Sequence, residues 1–129
     1  MTKTKDKHRL LDLGIIDNEC FLFVGMKSYK KFLDKYADGW GESAKEYWDL
    51  YEENKNNNGF CVMNTNISSV CIVINTDKRT KAQQRSTAVH EAVHASCFLL
   101  ECIGEEYDSN SEILPRITQR IYENLVEMI

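Results

Sequence analysis

Nothing in the 129-residue sequence is long and apolar enough to cross a bilayer. Its apolar runs extend over a few residues only, whereas a spanning helix needs about 20. No apolar run of signal-peptide length follows the N-terminal Met-Thr-Lys-Thr-Lys-Asp-Lys-His-Arg, so the chain is expected to act in the cytoplasm. Excess positive charge is also missing. Sixteen Lys and Arg stand against twenty Asp and Glu, a net charge of −4, which argues against a broad nucleic-acid-binding field. Zinc-finger and Cys-x-x-Cys spacings are absent. The five cysteines, Cys20, Cys61, Cys71, Cys97 and Cys102, are odd in number and lie among apolar neighbours. They read as small buried hydrophobes of a reducing compartment, not as a disulfide framework. No internal repeat or low-complexity tract divides the chain.

What is present is the composition of one folded domain, 43% apolar and 28% charged. A chain of this length buries roughly two-thirds of its unfolded surface, enough for a core. The expectation is a single α+β domain over residues 1–129, with about three strands and four helices. The first residues hold Lys3, Lys5, Lys7 and Arg9, and residues 1–12 are expected to form a mobile basic tail that takes His8 with it.

Residues 20–24 are a short apolar run ending at Gly25, which predicts a buried strand. Ser28 can cap a following helix whose apolar face is Tyr29, Phe32, Leu33 and Tyr36, stopped at Gly39. Ala44, Tyr47, Trp48 and Tyr51 give a second helix the same signature. The Asn56-Asn57-Asn58-Gly59 loop precedes two strands, 60–63 and 70–74, which predict a hairpin with the second strand more buried. Lys78, Arg79, Lys81 and Arg85 read as a solvated basic patch. Thr80-x-x-Gln83 is a capping box for a long helix running to Gly104. Ala88, Val89, Ala92, Val93, Ala95, Leu99, Leu100 and Ile103 surround its axis, which predicts a central helix buried nearly all round. A last helix, from about Glu112, carries Ile113, Ile117, Ile121 and Leu125 at four-residue steps.

Into the long helix the sequence places His90-Glu91-Ala92-Val93-His94. Two of the three histidines therefore lie one turn apart on one face, where both imidazoles can reach one metal ion. Glu91 is rotated by about 100° from His90, too far to ligate beside it but within reach of a water at the metal. This is the physical content of His-Glu-x-x-His: two ligands and a general base.

A catalytic zinc needs a third protein ligand and one open position. Cys97 and Glu101 continue the histidine stripe, but Glu101 lies about 10 Å further along the axis at ~1.5 Å of rise per residue. The ligand must return from beyond Gly104. Glu105 and Glu106 lie too close to the turn, and Glu123 too far along the last helix. Glu112 is favoured, with Asp108 second. Ser109-x-x-Glu112 also matches a capping box, but a cap at Ser109 would put Pro115 inside the helix, where proline is costly; a start near Glu112 places it in the first turn.

The stretch from Val89 to Ser96, with Glu112-Ile-Leu and then Thr118 and Ile121-Tyr122, resembles the gluzincin branch of zinc metallopeptidases. More narrowly, it resembles small phage-encoded metallopeptidase-like proteins. The resemblance covers roughly residues 70–125 and departs from that pattern at Pro115-Arg116. It implies a minimal zincin-like core, cytoplasmic in the host for a phage-encoded protein, in which the strand at 70–74 borders the substrate cleft.

Together these features predict a zinc metallopeptidase. His90, His94 and Glu112 would bind Zn²⁺, and Glu91 would act as general base on a peptide or protein substrate. Tyr107, Arg116, Arg120 and Tyr122 are candidates to stabilise the anionic intermediate. The rival expectation is a non-catalytic, zinc-stabilised effector that binds a host protein. Retention of Glu91 weighs against it, because a structural site needs no base. Neither nucleic acid nor membrane is an expected partner.

Overall fold

The computed structural model describes residues 7–13, 18–41, 43–64, 69–102 and 112–129. In chain order the elements are β1 (Lys7–Leu11), β2 (Glu19–Val24), α1 (Met26–Tyr36), a 3₁₀ turn (Ala37–Trp40), α2 (Ser43–Asn54), β3 (Gly59–Asn64), β4 (Ser69–Ile74), α3 (Lys81–Cys102) and α4 (Ile113–Met128). The class is α+β, with four α-helices and a four-stranded sheet among the described residues. That is one strand more than the apolar runs suggest.

The sheet order is β1-β2-β4-β3. β2 and β4 run parallel in the centre, and antiparallel β1 and β3 form the edges. The strand period of two sorts side chains between two cores. Cys20, Leu22, Val24, Val70, Ile72 and Ile74 face a layer made by α3 and α4, packing on Ala88, Ala92, Leu99, Ile117, Ile121 and Leu125. Phe23, Cys71, Val73, Phe60 and Val62 face the opposite layer, where Tyr29, Leu33 and Tyr51 of α1 and α2 close over them. Helices on both faces explain why the two central strands read as unbroken apolar runs. Gly25 leaves β2 with φ 110, and its N–H donates to Ile74 O at 2.8 Å. Only glycine takes that backbone conformation without strain, and it starts α1 two residues before Ser28.

Three expectations are corrected. Lys7–Leu11 is not part of a mobile tail; it pairs with β2 from Lys7↔Val24 to Leu11↔Cys20. Arg9 ties it to α4, donating to Asn124 Oδ1 at 2.7 Å and Glu127 Oε2 at 2.8 Å, and the His8 ring stacks on Phe23. An edge strand needs ladder bonds more than apolar side chains, so its polar composition concealed it. Residues 1–6 of the expected tail lie outside the described residues. Second, β4 does not border a cleft: it lies between β2 and β3, and all six of its residues are buried. Third, α3 is not buried all round. Ala88, Ala92, Ala95 and Leu99 are buried, but Val89, His90, Val93, His94 and Cys97 are exposed.

The expected starts of α3 and α4 hold, but Ser28 does not cap α1: it lies inside that helix, whose N-cap position is Gly25. Thr80 N–H donates to Gln83 Oε1 at 2.8 Å and Gln83 N–H to Thr80 Oγ1 at 3.2 Å, a reciprocal capping box. Glu112 holds the N-cap position of α4 without a side-chain cap hydrogen bond, which places Pro115 within the first turn. The hairpin of β3 and β4 is antiparallel in register Gly59↔Ile74 to Asn64↔Ser69. All five cysteines are free. No helix among the described residues is long and apolar enough to cross a membrane.

Candidate metal centre

α3 is anchored at its N-terminus by the capping box and along its length by small residues that admit α4. Ser96 Oγ donates to Ala92 O at 2.7 Å, and the Thr118 hydroxyl lies 2.9 Å from both Ser96 Oγ and Leu114 O. This packing presents the opposite face of α3 to solvent with His90 and His94 on it. Their Nε2 atoms are 3.2 Å apart and the rings meet edge to face.

Such a separation has two physical explanations. One imidazole can donate its N–H to the other. Alternatively, both lone pairs can converge on a cation: two nitrogens bound to one tetrahedral zinc at about 2.0–2.1 Å lie about 3.3 Å apart. The pair therefore fits the bite of a zinc ion, and its exposure leaves the outer positions open.

Glu91, one residue on, is buried at 7% exposure and points to the sheet. Cys61 on edge strand β3 donates its S–H to Glu91 Oε2 at 3.0 Å; the sulfur is also 3.4 Å from Glu91 O. Burial pushes the Cys61 thiol far above its ordinary pKa, and the adjacent Glu91 carboxylate raises it further. Cys61 is thus held as a neutral donor. Gly59, at the start of β3, permits this contact. A Cβ there would lie 2.6 Å from Thr87 Cγ2, 2.8 Å from Val73 O and 3.5 Å from Glu91 Cγ. The backbone of β3 approaches α3 closely because this position has no side chain.

A polar cleft of about 590 Å³ opens beside these groups, lined among others by Asn58, Gly59, Arg79, Thr87, His90 and Glu91. It joins the second and third turns of α3 to the loop before β3. It therefore borders edge strand β3, not the central strand β4.

The other expected site residues are not gathered here. Glu112 is exposed at the head of α4, where its carbonyl accepts the Arg116 N–H at 3.2 Å. Among the described residues no third His, Cys, Asp or Glu joins the imidazole pair in a group that could hold a metal ion. Asp108, Glu105, Glu106 and Tyr107 lie outside the described residues. Arg116 is exposed, Tyr122 packs against the α3–α4 core, and Arg120 Nε donates to Asp12 O at 3.0 Å.

Cys61, Gly59 and Arg79 are the site residues the sequence did not single out. Cys61 is 30 residues from Glu91, and nothing local signals the contact. Arg79 had a signal, its place one residue before the Thr80 cap, but it read as part of a solvated patch.

Comparison with protein-family models, curated proteins and solved structures finds no match to this chain.

Proposed function

We propose that this chain is a compact zinc metallopeptidase that hydrolyses amide bonds. The observation that carries the proposal is the His90–His94 pair, set at a zinc-compatible 3.2 Å on a helix whose intervening Glu91, bonded to Cys61, also borders the polar cleft. The resemblance of the motif to gluzincins supports the same assignment.

His90 and His94 would hold the ion. On the sequence pattern Glu112 is the favoured third ligand and Asp108 the second choice; Glu112 would have to approach the pair, with which it is not grouped here. When bound, zinc supplies the positive charge that acidifies water and polarises a carbonyl. The remaining work belongs to the chain. Glu91 Oε2 is occupied by the Cys61 thiol, which leaves Oε1 to take a proton from water and return it to the leaving amine. Cys61 fixes the carboxylate so that this oxygen keeps one position. The cleft between α3 and the loop before β3 receives the substrate.

The test is Glu91→Gln, which keeps size and removes the base. The variant should fold and bind zinc as the parent does, yet lose hydrolysis of a peptide library by at least about 100-fold. Equal turnover in both proteins, or loss of zinc and turnover together, would overturn the assignment of Glu91.

A second reading, a zinc-stabilised module that binds a protein without cleaving it, draws on Val89 and Val93, 44% and 43% exposed beside the histidines. It predicts no hydrolysis by the parent and an unchanged partner affinity in Glu91→Gln.

A further inference from the structure

Arg79 lines the same cleft as His90 and Glu91 and is held there by three hydrogen bonds. Its Nε donates to Asn58 Oδ1 at 2.9 Å, one Nη to Asp77 O at 2.8 Å and the other to Asn56 O at 3.0 Å. All three acceptors are neutral. None of the ion pairs among the described residues involves Arg79. Three of its five N–H groups are engaged, so each terminal nitrogen keeps one donor.

The surroundings make this a fixed cation. Asn75 is buried at 3% exposure, and its Nδ2 donates to Asn57 O at 2.8 Å and Lys55 O at 3.3 Å, while its own N–H reaches Asn58 O at 2.9 Å. The loop that grips Arg79 is therefore itself pinned to the end of β4. Lys78, immediately before it, has φ 55, the one positive φ at a non-glycine position among the described residues. That left-handed residue turns the chain so that Arg79 folds back over the loop, and backbone outliers of this kind gather at binding sites.

A guanidinium with one free donor on each terminal nitrogen matches the two oxygens of a carboxylate. We propose that Arg79 is a specificity-determining residue that binds a carboxylate of the substrate, placing an anionic group on the Asn56–Gly59 side of the bond to be cleaved. This deepens the metallopeptidase assignment and rests on it for the identity of the ligand as a peptide. The carboxylate has two sources of the same chemistry, a free C-terminus or an Asp or Glu side chain.

The experiment reads binding, not turnover, so failure of hydrolysis refutes the peptidase assignment without deciding this one. Zinc-treated Glu91→Gln protein is titrated with three probes: acetyl-trialanine as the free acid, its C-terminal amide, and that amide with glutamate as the last residue. At low salt at least one anionic probe should bind about tenfold or more tightly than the neutral amide, the scale of one charge-assisted bidentate contact. The preferred anion identifies the source. The Arg79 Nε–Hε resonance should shift on that titration, a readout that needs no variant at position 79. Adding Arg79→Gln should abolish the preference and leave the neutral amide within about twofold, because only a charge contact is removed. Equal binding of all three probes, an unmoved Arg79 resonance, or equal weakening of every probe by Arg79→Gln would overturn the proposal and leave Arg79 as a staple of the loop.

Discussion

The sulfur of Cys61 lies 3.0 Å from Oε2 of Glu91, joining edge strand β3 to the motif helix through a thiol and a carboxylate thirty residues apart. Glu91 is buried at 7% exposure, and a buried carboxylate needs donors. The thiol supplies one without bringing a charge.

Removing that donor tests its positioning role. Cys61→Ala should lower stability by about 1–3 kcal/mol, the range for leaving a buried acceptor without its partner. It should also reduce turnover while zinc affinity stays unchanged, since the histidines are untouched. Cys61→Ser restores an O–H donor and should recover most of the turnover. Equal turnover in parent and Cys61→Ala would remove the role.

Gly59 is the point where β3 meets α3. In Gly59→Ala the new methyl would meet Thr87 Cγ2 at 2.6 Å and Val73 O at 2.8 Å. The second contact is backbone and cannot turn aside. Urea unfolding should show a loss of roughly 1–3 kcal/mol, as for other overpacked positions. Adding Thr87→Ser, which deletes Cγ2, should recover only part of it; full recovery would show that Val73 O is not the obstacle.

Exposure on α3 is open to chemical test. Cys97 is exposed, whereas Cys20 and Cys71 are buried. In native protein iodoacetamide should modify Cys97 first and reach Cys20 and Cys71 only on unfolding. Rapid modification of Cys20 in native protein would contradict the packing of β2 against α3 and α4.

The same two buried thiols set an alkaline limit. Burial pushes Cys20 from 9.0 up to about 12, helped by Cys71, and burial likewise pushes Cys71 up to about 12, helped by Glu19. A folded-state pKa above the unfolded one means the native protein holds its proton longer. Their contribution is therefore fully present below about pH 9 and is lost as pH rises from there towards about 12. The urea midpoint should fall across this window, by at most about 1.4 kcal/mol per thiol per pH unit. A Cys20→Ala, Cys71→Ala protein should show a shallower fall; an equal slope would place the effect elsewhere.

The helices were legible because their signals are local. Thr80 and Gln83 cap each other as their spacing says, and Pro115 does fall in the first turn of α4. The His90–His94 pair was legible for the same reason, since one turn of helix fixes it. Relations between distant segments were not. Lys7–Leu11 joins the sheet through its backbone, which composition does not report. The place of β4 between β2 and β3 depends on a parallel pairing of segments some fifty residues apart. Val89 and Val93 have the composition of core residues and face solvent, because α3 packs on the sheet and α4 through the small side chains of Ala88, Ala92 and Ala95. The contact of Cys61 with Glu91 follows from that packing and from the missing side chain at Gly59.

The central claim is that His90 and His94 hold a metal, and the direct measurement is zinc content and affinity of purified protein beside its His90→Ala, His94→Ala, Glu112→Ala and Asp108→Ala variants. The account predicts about one zinc per chain, abolished by either histidine substitution and strongly weakened by Glu112→Ala; weakening by Asp108→Ala instead would move the third ligand there. A parent protein that takes up no zinc, and whose unfolding temperature is the same with and without added zinc, would contradict the account.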